Sequence, residues 1–179
     1  MREDTWRRGL SGVGVVLAAV ASLATSPAEW SLSDQSAVTD VRLDTNQPED
    51  VRHFSVRSSQ RHTVSVSGNI RWDSAIASPA GAVRVQILAD DGSLLREKIE
   101  RASDAVNTDG QLEDSPLHAS ANVPCAEEEE ECAAGYTVKL SMVDGHPKES
   151  VHVDYDLVAV ISGSGADEPS DAFVTVTQD

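Results

Sequence analysis

The sequence predicts an all-β protein, an antiparallel β-sandwich of eight or nine strands. Three observations carry this. Apolar residues recur at every second position in one run after another, which is the spacing of a strand with one buried face. Turn-forming residues separate the runs. No segment sustains a helical stripe over three turns.

In chain order, the first 24 residues stand apart. A basic start with Arg2, Arg7 and Arg8 leads into an apolar run from Leu10 to Ala24, and Ser22-Leu23-Ala24 has the small-x-small form of a cleavage site. Fifteen residues of helix reach about 22 Å, short of the ~30 Å of a hydrocarbon core. Residues 1–24 are therefore expected to be a cleaved signal peptide of the general secretory type, leaving no integral membrane segment after processing. Arg7-Arg8 also partly matches a twin-arginine signal, although the residue before the pair is Trp6. Residues 25–36 read as a flexible polar leader, and residues 37–179 as a single domain.

Within that domain, Val38–Asp44 and Val51–Val56 are the first strands. The run "HTVSVSGNIRW" places Val64, Val66, Gly68, Ile70 and Trp72 on one face and Thr63, Ser65, Ser67, Asn69 and Arg71 on the other. Val83–Ala89 and Leu94–Ile99 flank Asp90-Asp91-Gly92, a hairpin signal. "LLREKIERASDAV" is helix-ambiguous and is read as strand followed by loop. Residues 107–116 form an acidic loop, followed by a strand at Leu117–Val123. "GYTVKLSMV" alternates Tyr136, Val138, Leu140 and Met142 against Thr137, Lys139 and Ser141. After Asp144-Gly145-His146-Pro147, "VHVDYDLVAVI" alternates and then turns apolar on both faces from Val158 to Ile161, as a central strand does. Ala172–Thr177 closes the set. Strands of this number and length suit a jelly-roll-like sandwich.

Without residues 1–24, eleven basic and twenty-eight acidic residues leave a formal charge of −17. Such a field disfavours nucleic acid and anionic lipid as partners. With three lysines in the whole chain, the composition is that of a salt-adapted protein, or of biased codon usage.

The order "FSVRSSQRHTVSVSG", "VRVQILADDGSLL", "CAAGYTVKLSMVDG" and "VDYDLVAVI" resembles bacterial pre-peptidase C-terminal domains and their jelly-roll relatives over residues 50–161. The resemblance implies a non-catalytic accessory domain, with room for a structural calcium. The chain departs from that pattern in its extra N-terminal strand region and in its glutamate loop.

That loop, "CAEEEEEC", holds five carboxylates between the chain's two cysteines, Cys125 and Cys132. In an exported chain these are expected to form a disulfide. Closing an eight-residue ring stabilises by roughly 2.5 kcal/mol in the chain-entropy model. Consecutive glutamates do not converge on one ion, so the plain reading is a solvated acidic tip. The sharper reading is a weak calcium site, with Glu128 and Glu130 joined by Asp109 and Asp114 from the acidic loop. His152-x-Asp154-x-Asp156 lie on one strand face, but same-side neighbours about 7 Å apart need a third ligand from another strand to share an ion. No G-x-S-x-G elbow or H-E-x-x-H spacing occurs. Of the few aromatic residues, Trp72, Tyr136 and Tyr155 fall on faces assigned to the core, which counts against a sugar platform.

The expected function is non-enzymatic: a secreted or periplasmic sandwich with a structural, adhesive or accessory role toward a protein or other component of the cell envelope. The alternatives are a calcium-dependent ligand-binding module using acidic loops, and an exported hydrolase with an unfamiliar site.

Overall fold

The computed structural model describes residues 29–74, 80–122, 131–165 and 169–179; the expected signal peptide at residues 1–24 lies outside them. Nine strands occur among these residues: β1 (Glu29–Asp44), β2 (Glu49–Ser58), β3 (Thr63–Ser74), β4 (Ala82–Ala89), β5 (Leu94–Arg101), β6 (Ser115–Asn122), β7 (Cys132–Val143), β8 (Glu149–Ser164) and β9 (Val174–Gln178). The ambiguous segment resolves into β5 and a single 3₁₀ turn, Ala102–Ala105.

The strands form two antiparallel sheets, in the orders β1-β8-β3-β6 and β5-β4-β7-β2-β9. The pairing is nested: β1 with β8, β2 with β7, β3 with β6, and β4 with β5. A long antiparallel hairpin, rolled so that its two halves stack, produces this nesting, and it defines a jelly roll. β9 is an addition, extending the second sheet beyond β2. Every connection from β1 to β8 except the β4–β5 hairpin crosses from one sheet to the other.

Alternation fixes the inner face. Val64, Val66 and Ile70 are fully buried, as are Val138 and Leu140 of β7 and Val151, Val153 and Leu157 of β8. Trp72, Tyr136 and Tyr155 are buried as expected, and the Trp72 indole N–H donates to Ser115 Oγ at 3.0 Å. β8 is apolar on both faces near Val158 because it lies between β1 and β3. Gly68 of β3 pairs with Tyr155 of β8. A Cβ there would lie 2.7 Å from Tyr155 Cα and would collide with the Asp154 carbonyl oxygen.

β1 begins at Glu29, so Glu29–Ser36, expected as leader, are strand. Trp30 and Leu32 supply the apolar alternation, and both are half-buried. The phase of β1 then changes. Thr39 and Asp40 are both exposed, and the buried positions pass from Val38 to Val41 and Leu43. Asp40 has φ +57°. This is a β-bulge, in which one extra residue in the left-handed region shifts every later side chain to the opposite face.

The Asp90-Asp91-Gly92 hairpin forms as expected. Gly92 has φ +80° and donates its N–H to the Ala89 carbonyl. The Ser93 hydroxyl and N–H hold the Asp91 carboxyl below its usual range. No helix among the described residues is long and apolar enough to cross a membrane.

Contacts group the chain into two units. Both sheets are carried by Ser31–Ser162 with Pro169–Asp179, and Trp30 and Gly163 belong to the smaller unit, where the indole lies against the glycine.

Candidate functional site

Of the four expected calcium ligands, Glu128 and Glu130 lie outside the described residues, as does Cys125. Cys132 is buried and carries no free thiol. Asp109 and Asp114 lie in the β5–β6 connection. That loop is organised by Asn107, whose side-chain oxygen accepts the N–H groups of Asp109 and Gln111 and whose amide donates to Glu113. Among the described residues no three His, Cys, Asp or Glu side chains are grouped to hold a metal. The last glutamate of the acidic tip, Glu131, is engaged by Arg57 Nε at 2.6 Å.

The His152–Asp154–Asp156 face does gain a cross-strand partner, Asp40 of the β1 bulge. Asp154 Oδ1 accepts the Asp40 N–H at 2.6 Å, and His152 Nδ1 meets the Asp40 carboxylate at 3.2 Å. These contacts pin the bulge. Asp156 sits instead opposite Ser67, whose other neighbour is His118 of β6. The row His118–Ser67–Asp156 has the residue types of a catalytic triad in the wrong order. Serine stands in the middle, and His118 and Asp156 are two strands apart, about 9.5 Å, so the carboxylate cannot orient the imidazole.

One Ser–His hydrogen bond does form, and it was not foreseen. Ser58, His62 and Tyr136 are 0%, 3% and 1% exposed. His62 Nδ1 lies 2.8 Å from Ser58 Oγ, and His62 Nε2 lies 2.6 Å from the Tyr136 hydroxyl. Ser58 Oγ donates to the Gln60 carbonyl at 2.7 Å, which fixes the direction of the chain. Tyr136 O–H donates to Nε2, Nδ1–H donates to Ser58, and Ser58 donates to the backbone. The serine proton points away from the imidazole, and no substrate reaches it. Alternation could have revealed this cluster, since His62 shares the parity of Val64 and Val66, and Ser58 that of Phe54 and Val56.

Polar groups open to solvent converge elsewhere, on the outer face of the five-stranded sheet. A groove of about 690 Å³ is lined by His53, Ser55, Arg57, Asp90, Gly135 and Asp179, with Tyr136 beneath. Its floor is the β2–β7 ladder, where Ser55 pairs with Gly135 and Arg57 with Ala133. The missing side chain at Gly135 is what admits Asp90, whose carboxylate from the β4–β5 hairpin occupies the space a Cβ would take. Ser55 Oγ donates to the Asp179 carboxylate at 3.0 Å, and His53 Nδ1 shares a hydrogen bond with Thr137 Oγ1 at 2.9 Å. Arg57, already paired with Glu131, stands at one end. The floor is built of small residues, Ser55, Ala133 and Gly135, and the carboxylates of Asp90 and Asp179 stand on the walls. Such a groove can accept hydrogen bonds from hydroxyl or ammonium groups.

No protein-family profile and no curated protein sequence matches the chain. Among solved structures, the VP2 protein of infectious bursal disease virus is similar at 12% identity and TM-score 0.37, covering 86% of this chain and 35% of that one. The chain thus spans about a third of the VP2 protein's length. A carbohydrate-binding module, CBM36 in complex with calcium and xylotriose, is similar at 14% identity and TM-score 0.35 over 72% of this chain and 98% of that one. The CBM36-1 domain of a xylanase from the hindgut metagenome of Trinervitermes trinervoides gives 13%, 0.35, 78% and 100% for the same measures. Likenesses at this level carry no functional argument, and the jelly-roll assignment rests on the nested strand pairing itself.

Proposed function

We propose that this chain is a non-enzymatic, exported β-sandwich module with a structural, adhesive or accessory role at the cell envelope, working through the groove over Ser55 and Gly135. The observation behind this reading is where the reactive side chains fall. The hydrogen-bonded Ser58–His62 pair is sealed in the core, whereas the solvent-facing groove is built on small residues, Ser55, Ala133 and Gly135, between the carboxylates of Asp90 and Asp179. An accessory role also fits the resemblance to pre-peptidase C-terminal domains. The test is an activity panel of ester, peptide and glycoside substrates on the purified chain. No turnover is expected, and turnover abolished by replacing a single Ser, His or carboxylate would overturn the reading.

A second reading is a calcium-dependent binding module. The observation favouring it is that Asp90 and Asp179 both open onto the same groove. A calcium titration followed by melting temperature decides it. An ion that binds only the native state stabilises by RT ln(1 + [L]/Kd), about 2.7 kcal/mol at a hundredfold excess over Kd. A flat melting temperature at millimolar calcium eliminates this reading. On either reading Cys132 is bridged to Cys125, closing the acidic tip, and mass spectrometry with and without reductant tests that pairing.

A further inference from the structure

The β2–β3 crossover, residues 59–62, passes from the five-stranded to the four-stranded sheet and is tied at Ser59, Gln60 and His62. Ser59 N–H donates to the Phe173 carbonyl, Phe173 N–H donates to Ser59 Oγ, and Gln60 Nε2 donates to the Ser162 carbonyl of β8. His62 then enters the core and meets Tyr136 and Ser58. We infer that the Tyr136–His62–Ser58 chain is an acid-sensitive latch: protonation of His62 releases the crossover and loosens Tyr136, and with it the groove that Tyr136 lines.

In the neutral chain each donor has an acceptor: Tyr136 to Nε2, Nδ1 to Ser58 Oγ, Ser58 to the Gln60 carbonyl. A protonated imidazole is a donor at both nitrogens. Nε2–H would then face the Tyr136 hydroxyl, which must turn its own proton away from the ring, with no other acceptor among the described residues and Tyr136 only 1% exposed. Among the described residues no carboxylate is hydrogen-bonded to the imidazole. From β7 the facing group is the Tyr136 hydroxyl, and Cys132, in register with Ser58, is not a free thiol. From β2 the facing group is Ser58, while the Arg57–Glu131 pair points to the outer surface. β9 presents Val174 opposite Ser58. Burial alone, with no charged partner among the described residues contributing, holds the His62 imidazole below its ordinary value. A base whose folded value is depressed leaves stability intact above its unfolded value, about 6.5, and loses it as pH falls below that toward the folded value.

The coupling to the groove rests on the binding reading above; the latch itself does not. It is tested on the full chain without ligand, by an NMR titration of the His62 ring nitrogens and amide hydrogen exchange of residues 59–63 from pH 8 to 4.5. We expect His62 to titrate below the ordinary histidine range. Opening of residues 59–63 should rise by up to tenfold per pH unit below about 6.5, the slope of one proton. His62→Gln should flatten that dependence, and Tyr136→Phe should move the His62 titration upward. A His62 that titrates at or above its ordinary value, or an opening rate flat with pH, overturns the proposal. So does a pH dependence that survives in His62→Gln. If His62→Gln fails to fold, the wild-type titration decides alone. A groove that binds nothing leaves these readouts unchanged, so the two ideas fail separately.

Discussion

Replacing Tyr155 with Phe is expected to stabilise the protein. Tyr155 is 3% exposed, and its hydroxyl is buried without a hydrogen-bond partner among the described residues. Burial pushes its pKa up, with the Asp50 carboxylate adding and Arg52 opposing. Those two charges lie nearby but are committed to each other, since Arg52 Nε and Nη2 reach the two Asp50 oxygens at 3.0 Å each. An unsatisfied buried hydroxyl costs about 1–3 kcal/mol, and Phe keeps the ring contacts while removing the group that causes the loss. For a chain of this size 1 kcal/mol moves the melting temperature by about 2–4 °C. The assay is urea denaturation at pH 7 with calorimetry, comparing midpoints at unchanged m-value. A lower midpoint for Tyr155→Phe would refute the reasoning, because it would show the hydroxyl to be hydrogen-bonded in solution.

Three further outcomes follow from the packing. Gly68→Ala puts a methyl into the Asp154 carbonyl and Tyr155 backbone, and about 3 kcal/mol of destabilisation is expected in the same denaturation assay. Glu149, 5% exposed, accepts the N–H groups of Ala80 at 2.9 Å and His146 at 2.7 Å, joining two connections. Glu149→Ala should cost about 2–4 kcal/mol and raise hydrogen exchange at both amides, with Glu149→Gln milder. Arg57→Ala breaks a short but solvent-exposed ion pair with Glu131, and a change below about 1 kcal/mol, shrinking further in high salt, is expected by thermal melting.

Much of the fold was legible because burial in a sheet has period two. Each of the nine strands overlaps one of the apolar runs, and Val66, Ile70, Leu140 and Tyr155 are buried as their parity requires. The strand at Glu29–Ser36 was missed because its inward positions include Asp34 and Ser36, which look like a polar leader. Asp34 faces β9, where its carboxylate accepts the Val176 N–H at 2.8 Å, so its polarity serves a sheet edge. The bulge was hidden because Asp40 gives no local signal that it adopts φ +57°; its support comes from His152 and Asp154, more than a hundred residues away.

The candidate site was less legible. The acidic loop drew attention by its composition, yet the charges that meet in the groove, Asp90 and Asp179, come from a hairpin and from the chain's last residue. The sequence by itself determined which side chains face inward, where the turns fall and how strongly acidic the surface is. All three are local properties, set by the alternation of the pleat and by residue type. Tertiary structure alone decided which strands are neighbours, and therefore that Ser58, His62 and Tyr136 form one chain and that Gly135 makes room for Asp90. Parity assigns a residue to a face, but only the nested pairing of the rolled hairpin assigns it a partner.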